Sequence, residues 1–260
     1  MSFGLTVLLG LIAGGTIVFG LPIGRIRGGG RDLRLALAGG TIGILVFLLW
    51  DVLAHAWEPI DIALSRHTLA TLPLLGVLFL GGIAIGLFGI VLFERMLIRK
   101  RVEVPSAHHD GRRTALMIAI GIGLHNFAEG LAIGQSAATG AISLAVILVV
   151  GFALHNATEG FGIVAPMAGD AERPSWGRLL ALGAIGGSPT IFGTAVGYVF
   201  VSDAVSVLFL SLAAGSILFV ILQLAGVVAR AKRGGLVTAM VFAGLVAGFV
   251  TDAVVTFGGA

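Results

Sequence analysis

Eight long apolar stretches divide the chain, at residues 3–24, 35–57, 69–93, 114–138, 141–166, 177–200, 203–229 and 236–258. Turn-forming residues punctuate them: Gly28-Gly29-Gly30, Pro105, Gly140, Pro174 and Gly234-Gly235. A bilayer core needs about 20 mostly apolar residues per helix, because each residue rises about 1.5 Å and each backbone group must find its partner inside the segment. The pattern therefore predicts an all-α polytopic membrane protein with eight transmembrane helices, folded as one domain over residues 1–260. The first stretch, Phe3 to Ile23, has no basic n-region and no small-residue cleavage site, so it is read as a retained span and not a signal peptide.

The composition agrees. Residues are 57% hydrophobic and 11% charged, against about a quarter charged in soluble domains. There is no cysteine, which excludes disulfides, thiolate metal sites and cysteine nucleophiles. The net charge of +3 belongs to basic residues that gather between the stretches and at their ends, so nucleic acid is not an expected partner. Of the 16 basic residues, all but Arg66 fall in the first, third, fifth and seventh loops or, as Arg178 does, at the stretch end beside one. Basic residues near helix ends resist translocation. This distribution predicts that the odd loops face the cytoplasm and that both termini lie on the extracytoplasmic side.

Two polar cassettes interrupt the apolar pattern. The fourth stretch contains His125-Asn126-Phe127-Ala128-Glu129-Gly130, and thirty residues later the fifth contains His155-Asn156-Ala157-Thr158-Glu159-Gly160. His and Glu at i and i+4 project from one helix face, one turn apart, with Asn beside them. Two such helices facing one another would offer two imidazoles, two carboxylates and two amide oxygens, a donor set suited to zinc, iron(II), manganese or cobalt. The plainer reading is that these groups only tie helices together. Against it, a carboxylate at bilayer depth costs several kcal/mol if charged and unpaired, and Ser or Asn would serve as ties without that cost.

Two further clusters stand out. Asp51, His55 and Glu58, at i, i+4 and i+7 near the outer end of the second stretch, could gather cations at an entrance, with Trp50 and Trp57 as interfacial anchors. Hydration at a membrane boundary explains them as readily. His108, His109 and Asp110 lie in the longest basic segment, read as a cytoplasmic loop, where short His tracts sometimes bind metal and more often are simply solvated.

Eight spans, outward termini and His-Asn-x-x-Glu-Gly in both the fourth and the fifth span resemble the ZIP (Zrt/Irt-like) divalent metal transporters, in particular their prokaryotic branch. The resemblance implies carriage of zinc, iron(II) or related ions toward the cytoplasm through a binuclear site between the fourth and fifth helices. One metal position would use His125, Glu129, His155 and Glu159; the adjoining one would use Asn126, Asn156 and a bridging Glu159. The resemblance also implies an elevator-like bundle of helices 1, 4, 5 and 6 moving against a scaffold of helices 2, 3, 7 and 8. The chain departs from the family at several places. Ala128 and Thr158 replace the usual prolines before each Glu, Ser188-Pro189 stands where Glu-Pro is frequent, and Gln223 stands where Glu is common. One strong metal position, with the second weak or absent, is the expectation that follows.

The expected protein is thus a transporter and not an enzyme, without a cofactor, carrying zinc, iron, manganese, cobalt or cadmium as its cargo. Its partners would be those ions and the lipid bilayer, with a homodimer as the assembly to test, and its place a prokaryotic plasma (inner) membrane. An intramembrane metalloenzyme is the alternative from another class, because His and Glu on helices can hold a catalytic zinc; the signature His-Glu-x-x-His is absent. A proton-coupled carrier of an organic solute could use the same carboxylates without metal.

Overall fold

The computed structural model describes residues 1–26, 30–68, 70–99, 107–167, 173–229 and 233–257, and among them there is no strand. Helix α1 spans Phe3–Gly15, α2 Gly30–Ser65, α3 Leu72–Arg99, α4 Ala107–Ala138, α5 Ile142–Val164, α6 Trp176–Val199, α7 Asp203–Ala229 and α8 Gly234–Phe257. All eight segments are long and apolar enough to cross a membrane, α1 together with the 3-10 turns that follow it. Ser2 and Ser175 cap α1 and α6, each accepting a backbone N–H with its hydroxyl, from Leu5 at 3.4 Å and from Arg178 at 3.2 Å.

Three features differ from the apolar pattern. The first span is α-helical only to Gly15; the chain then tightens into 3-10 turns at Thr16–Phe19 and Leu21–Arg25. Gly14-Gly15, Gly20 and Pro22 weaken the α-helical ladder there, and the Thr16 hydroxyl donates to the carbonyl of Ala13 at 2.7 Å. Helix α2, at 36 residues, extends well beyond the predicted 35–57 at both ends. Hydropathy marks where lipid would end, whereas a helix continues into water wherever polar residues allow it. For the same reason the backbone of His108, His109 and Asp110 opens α4 and is not a loop; the side chains of these three lie outside the described residues.

Small residues set the packing. A Cβ on Gly193 or Gly197 of α6 would collide with the carbonyl oxygens of Phe127 or Leu131 of α4, and one on Gly130 of α4 with that of Thr190 of α6. Gly14 of α1 and Gly187 of α6 touch backbone to backbone, and Gly20 and Gly160 join the first 3-10 turn to α5 in the same way. These contacts link α1, α4, α5 and α6. Elsewhere Gly43 and Gly244 bring α2 onto α8, and Gly86 and Gly215 bring α3 onto α7, again at backbone distance. Between the two sets the corresponding glycines meet mainly side chains: Gly121 of α4 faces a Val220 methyl of α7, and Gly162 of α5 faces Thr41 of α2. Like-parity neighbours such as α2 with α8 and α4 with α6 run parallel, as successive crossings of a layer require.

Close approach without a water-driven hydrophobic force relies on dispersion between backbones, which only a missing Cβ permits. Gly193→Ala should therefore destabilise the protein by about 1–3 kcal/mol through overpacking. Gly76→Ala, in open space on α3, should leave the thermal midpoint in detergent unchanged or raised. A circular dichroism melt of the two variants checks both expectations.

Candidate metal centre

Neither cassette contains proline, and α4 and α5 run unbroken through them. Each therefore keeps its His and Glu in register one turn apart. The helices are antiparallel neighbours, so the imidazole end of one cassette meets the carboxylate end of the other. His155 Nε2 contacts Glu129 Oε1 closely. His125 Nε2 lies 2.9 Å from the same Glu129 oxygen and 3.4 Å from Glu159 Oε1. One ligand atom from each of His125, Glu129 and His155 falls within 4.8 Å of the others, an arrangement that can hold a metal ion. Glu159 joins from the side of His125. Three of the four side chains are buried almost completely, and His155 retains 11% exposure.

The neighbouring amides are held just as firmly. Asn126 donates to the Gly186 carbonyl of α6 at 2.9 Å, and Asn156 to the Ala13 carbonyl of α1 at 3.1 Å, both fully buried. Several acceptors around them have no hydrogen-bond donor among the described residues: both oxygens of Glu159, Glu129 Oε2, and Oδ1 of Asn126 and Asn156. Buried acceptors without donors are costly unless a cation or solvent meets them. A helix pair tied together for stability alone would have matched these oxygens with N–H or O–H groups.

A cavity of about 320 Å³ leads to this cluster. It lies between α2, α5 and α8 and is lined by Asp51, His55, Asp252 and His155 among apolar residues such as Phe47 and Phe152. His55 rests on its own helix, with Nδ1 2.9 Å from the Asp51 carbonyl and 3.4 Å from the Asp51 carboxylate. Glu58, grouped with these two by helical spacing, is exposed and does not line the cavity. It stands about 10 Å farther along α2 than Asp51 and less than one turn beyond His55. Asp252 of α8 takes the place expected for it. No spacing within one helix could have identified Asp252, because it reaches the cavity only through the α2–α8 contact.

At the other end of the bundle, Gln223 of α7 donates to Glu94 of α3 at 3.4 Å, and Glu94 also pairs with Arg113 of α4 at 2.9 Å. Gln223 thus belongs to a polar group far from the cassettes. Ser188 is half-buried on α6, one turn or less from the fully buried Thr190, and Thr190 is a polar residue near the cassettes that sequence reasoning passed over.

The chain matches no protein-family model, and no curated protein matches it in sequence. The resemblance to ZIP transporters rests on the two cassettes and the eight spans.

The cavity reaches His155, and the Asp51, His55 and Asp252 side chains on its wall give it a polar side. The chain has no native cysteine, so single introduced cysteines report access cleanly. Asp252→Cys should react with a membrane-impermeant maleimide from one side of sealed vesicles only, whereas Val246→Cys, on the outward face of α8, should not react from either side.

Proposed function

We propose that this protein is a ZIP-like transporter that moves divalent transition-metal ions toward the cytoplasm, binding them with His125, Glu129, His155 and Glu159. The observation that carries the reading is the convergence of two imidazoles and two carboxylates, from two cassettes thirty residues apart, in the dry centre of eight apolar helices. Two negative charges balance one divalent ion, and nitrogen with oxygen donors matches zinc, iron(II), manganese, cobalt and cadmium better than calcium or magnesium. In this reading the basic ends of the helices face the cytoplasm and both termini face outward, so the Asp51–Asp252 cavity opens outward. Ions enter there and reach His155 first.

The backbone contacts among α1, α4, α5 and α6 support movement of these helices as one body carrying the site. Their softer contacts with α2, α3, α7 and α8 support a sliding boundary. The ion pair of Arg113 with Glu94 crosses that boundary and would have to break in each cycle.

Uptake of zinc into proteoliposomes tests the assignment. Glu129→Gln keeps the volume of a residue that contacts both imidazoles and removes its charge, so it should reduce uptake to background, with Asn126→Ala less severe. Parent-like uptake by Glu129→Gln would sink the metal assignment.

Protonated imidazole cannot ligate a metal, and protonated carboxylate is a poor ligand, so protons and metal compete for the site. Zinc affinity of the purified protein should rise continuously between about pH 5 and pH 8, the interval in which an ordinary imidazole gives up its proton. A flat calorimetric profile over this interval would contradict ligation by histidine.

A further inference from the structure

Helices α6 and α7 both pack on α4, and a groove of about 340 Å³ runs between them. Ile120, Leu124 and Phe127 of α4 form its floor, Ile185 and Pro189 of α6 one wall and Phe209 of α7 the other; no polar side chain lines it. At about 100° per residue, Leu124 and Phe127 point away from His125 and Glu129, so the groove lies behind α4 and apart from the His/Glu cluster. One end is shut. The rings of Phe127 and Phe209 meet with centroids 4.9 Å apart. About 12 Å farther along α4, Gln135 donates to the Phe200 carbonyl at the end of α6 at 3.2 Å and accepts from Ser206 of α7 at 3.0 Å, which ties the three helices together. Phe127 stands near the middle of the span Gly111–Ala138. The groove therefore ends near the centre of the bilayer and runs from there toward the basic ends of α4 and α6. On α6, Arg178 precedes Ile185 by seven residues and Pro189 by eleven, which puts all three on one helix face. Arg178 is exposed, and its guanidinium has no partner among the described residues. Beside it the exposed Trp176 opens the helix, as interfacial aromatics do.

We propose that this groove is a lipid site: it takes one acyl chain of an anionic phospholipid, whose phosphate is met by Arg178. Length supports the fit. From Arg178 to Pro189 is eleven residues, about 16 Å along α6, and half of a bilayer's hydrocarbon core is about 15 Å. A chain whose phosphate lies at Arg178 thus reaches the Phe127–Phe209 pair with its methyl end, as far as a tail of one leaflet extends. Charge selects the headgroup. Arginine pairs with a phosphate through two parallel N–H donors, a basic side chain at the membrane surface favours anionic lipid, and its stem can lie along the apolar wall while the guanidinium stays at headgroup depth. The lining excludes other ligands, because an apolar groove without a polar group offers nothing to orient a peptide or a polar solute. The floor and one wall belong to the helices joined through backbone contacts, α4 and α6, and the other wall to α7, so a seated chain touches both sets of helices.

The experiment needs no metal and no transport, so its outcome is independent of the transporter reading. The purified full chain is reconstituted in phosphatidylcholine vesicles with a trace of phosphatidylglycerol that carries a photoactivatable diazirine at the end of one acyl chain, and the labelled peptides are mapped by mass spectrometry. Label is expected on the peptides that hold Phe127 and Phe209, and unlabelled phosphatidylglycerol should compete it away. Phosphatidylcholine with the same tail should label the outer faces of the helices without such competition. Arg178→Gln should lower the preference for phosphatidylglycerol at Phe127 and Phe209 about fivefold, the equivalent of about 1 kcal/mol for one basic residue at the surface, and Arg178→Lys should restore most of it. Ile185→Trp, at an exposed position on the groove wall, should block the competable label while leaving Arg178 in place. Equal labelling of Phe127 and Phe209 by the two headgroups, label that unlabelled phosphatidylglycerol does not displace, or a parent-like preference in Arg178→Gln would each overturn the proposal.

Discussion

Two carboxylates buried among apolar helices govern this architecture. Glu129 and Glu159 are all but sealed from solvent, and a carboxylate in that setting must be paired, protonated or ligated. Glu129 is met by two imidazoles, and Glu159 approaches one of them with neither of its oxygens hydrogen-bonded. The remaining structure serves this requirement: α4 and α5 stay unbroken so that His and Glu keep their register, and α1 and α6 supply carbonyls that fix the adjacent amides. The cluster is stable as a unit only when positive charge is shared within it.

That demand explains the distribution of glycine. Side chains can be fixed to better than an ångström only on a backbone that does not flex, and the backbone contacts of α4 with α6 and of α1 with α6 provide such a frame. Where α4 meets α7 at Gly121 and α5 meets α2 at Gly162, the nearest atoms are side-chain atoms of Val220 and Thr41. Backbone contact inside one group, and side-chain contact at Gly121 and Gly162 on its edge, follow from where a single carbon is absent.

Much of the fold was legible in the sequence because a lipid core imposes one length and one polarity on every span, and the eight apolar stretches coincide with eight helices. The ends were not, since α2 and α4 continue as helix beyond their apolar parts, and the early loss of α-helix after Gly15 depends on contacts as well as on Gly and Pro. The convergence of the His and Glu side chains was legible because they come as two local repeats whose i,i+4 spacing fixes their direction. Asp252, Thr190 and the anchoring carbonyls of Ala13 and Gly186 were not, because each reaches the cluster by tertiary contact alone. Glu58 shows the converse: a shared helix face does not mean a shared cavity, since His55 lines it and Glu58, less than one turn beyond, does not.

The duplicated cassettes are alike in sequence and unlike in surroundings. Of the four side chains of the cluster, His155 keeps the largest opening, and it lines the cavity. An ion arriving from that cavity would exchange its first water for imidazole nitrogen, then meet the carboxylate of Glu129, and only then His125 and Glu159. In the proposed reading the order of ligand replacement would act as a kinetic sieve: past the Asp51 and Asp252 carboxylates of the cavity, hydrated calcium or magnesium, which gains little from nitrogen, would be disfavoured at His155 before Glu129 is reached. Discrimination would then arise at the first substitution step, ahead of any equilibrium preference of the finished site.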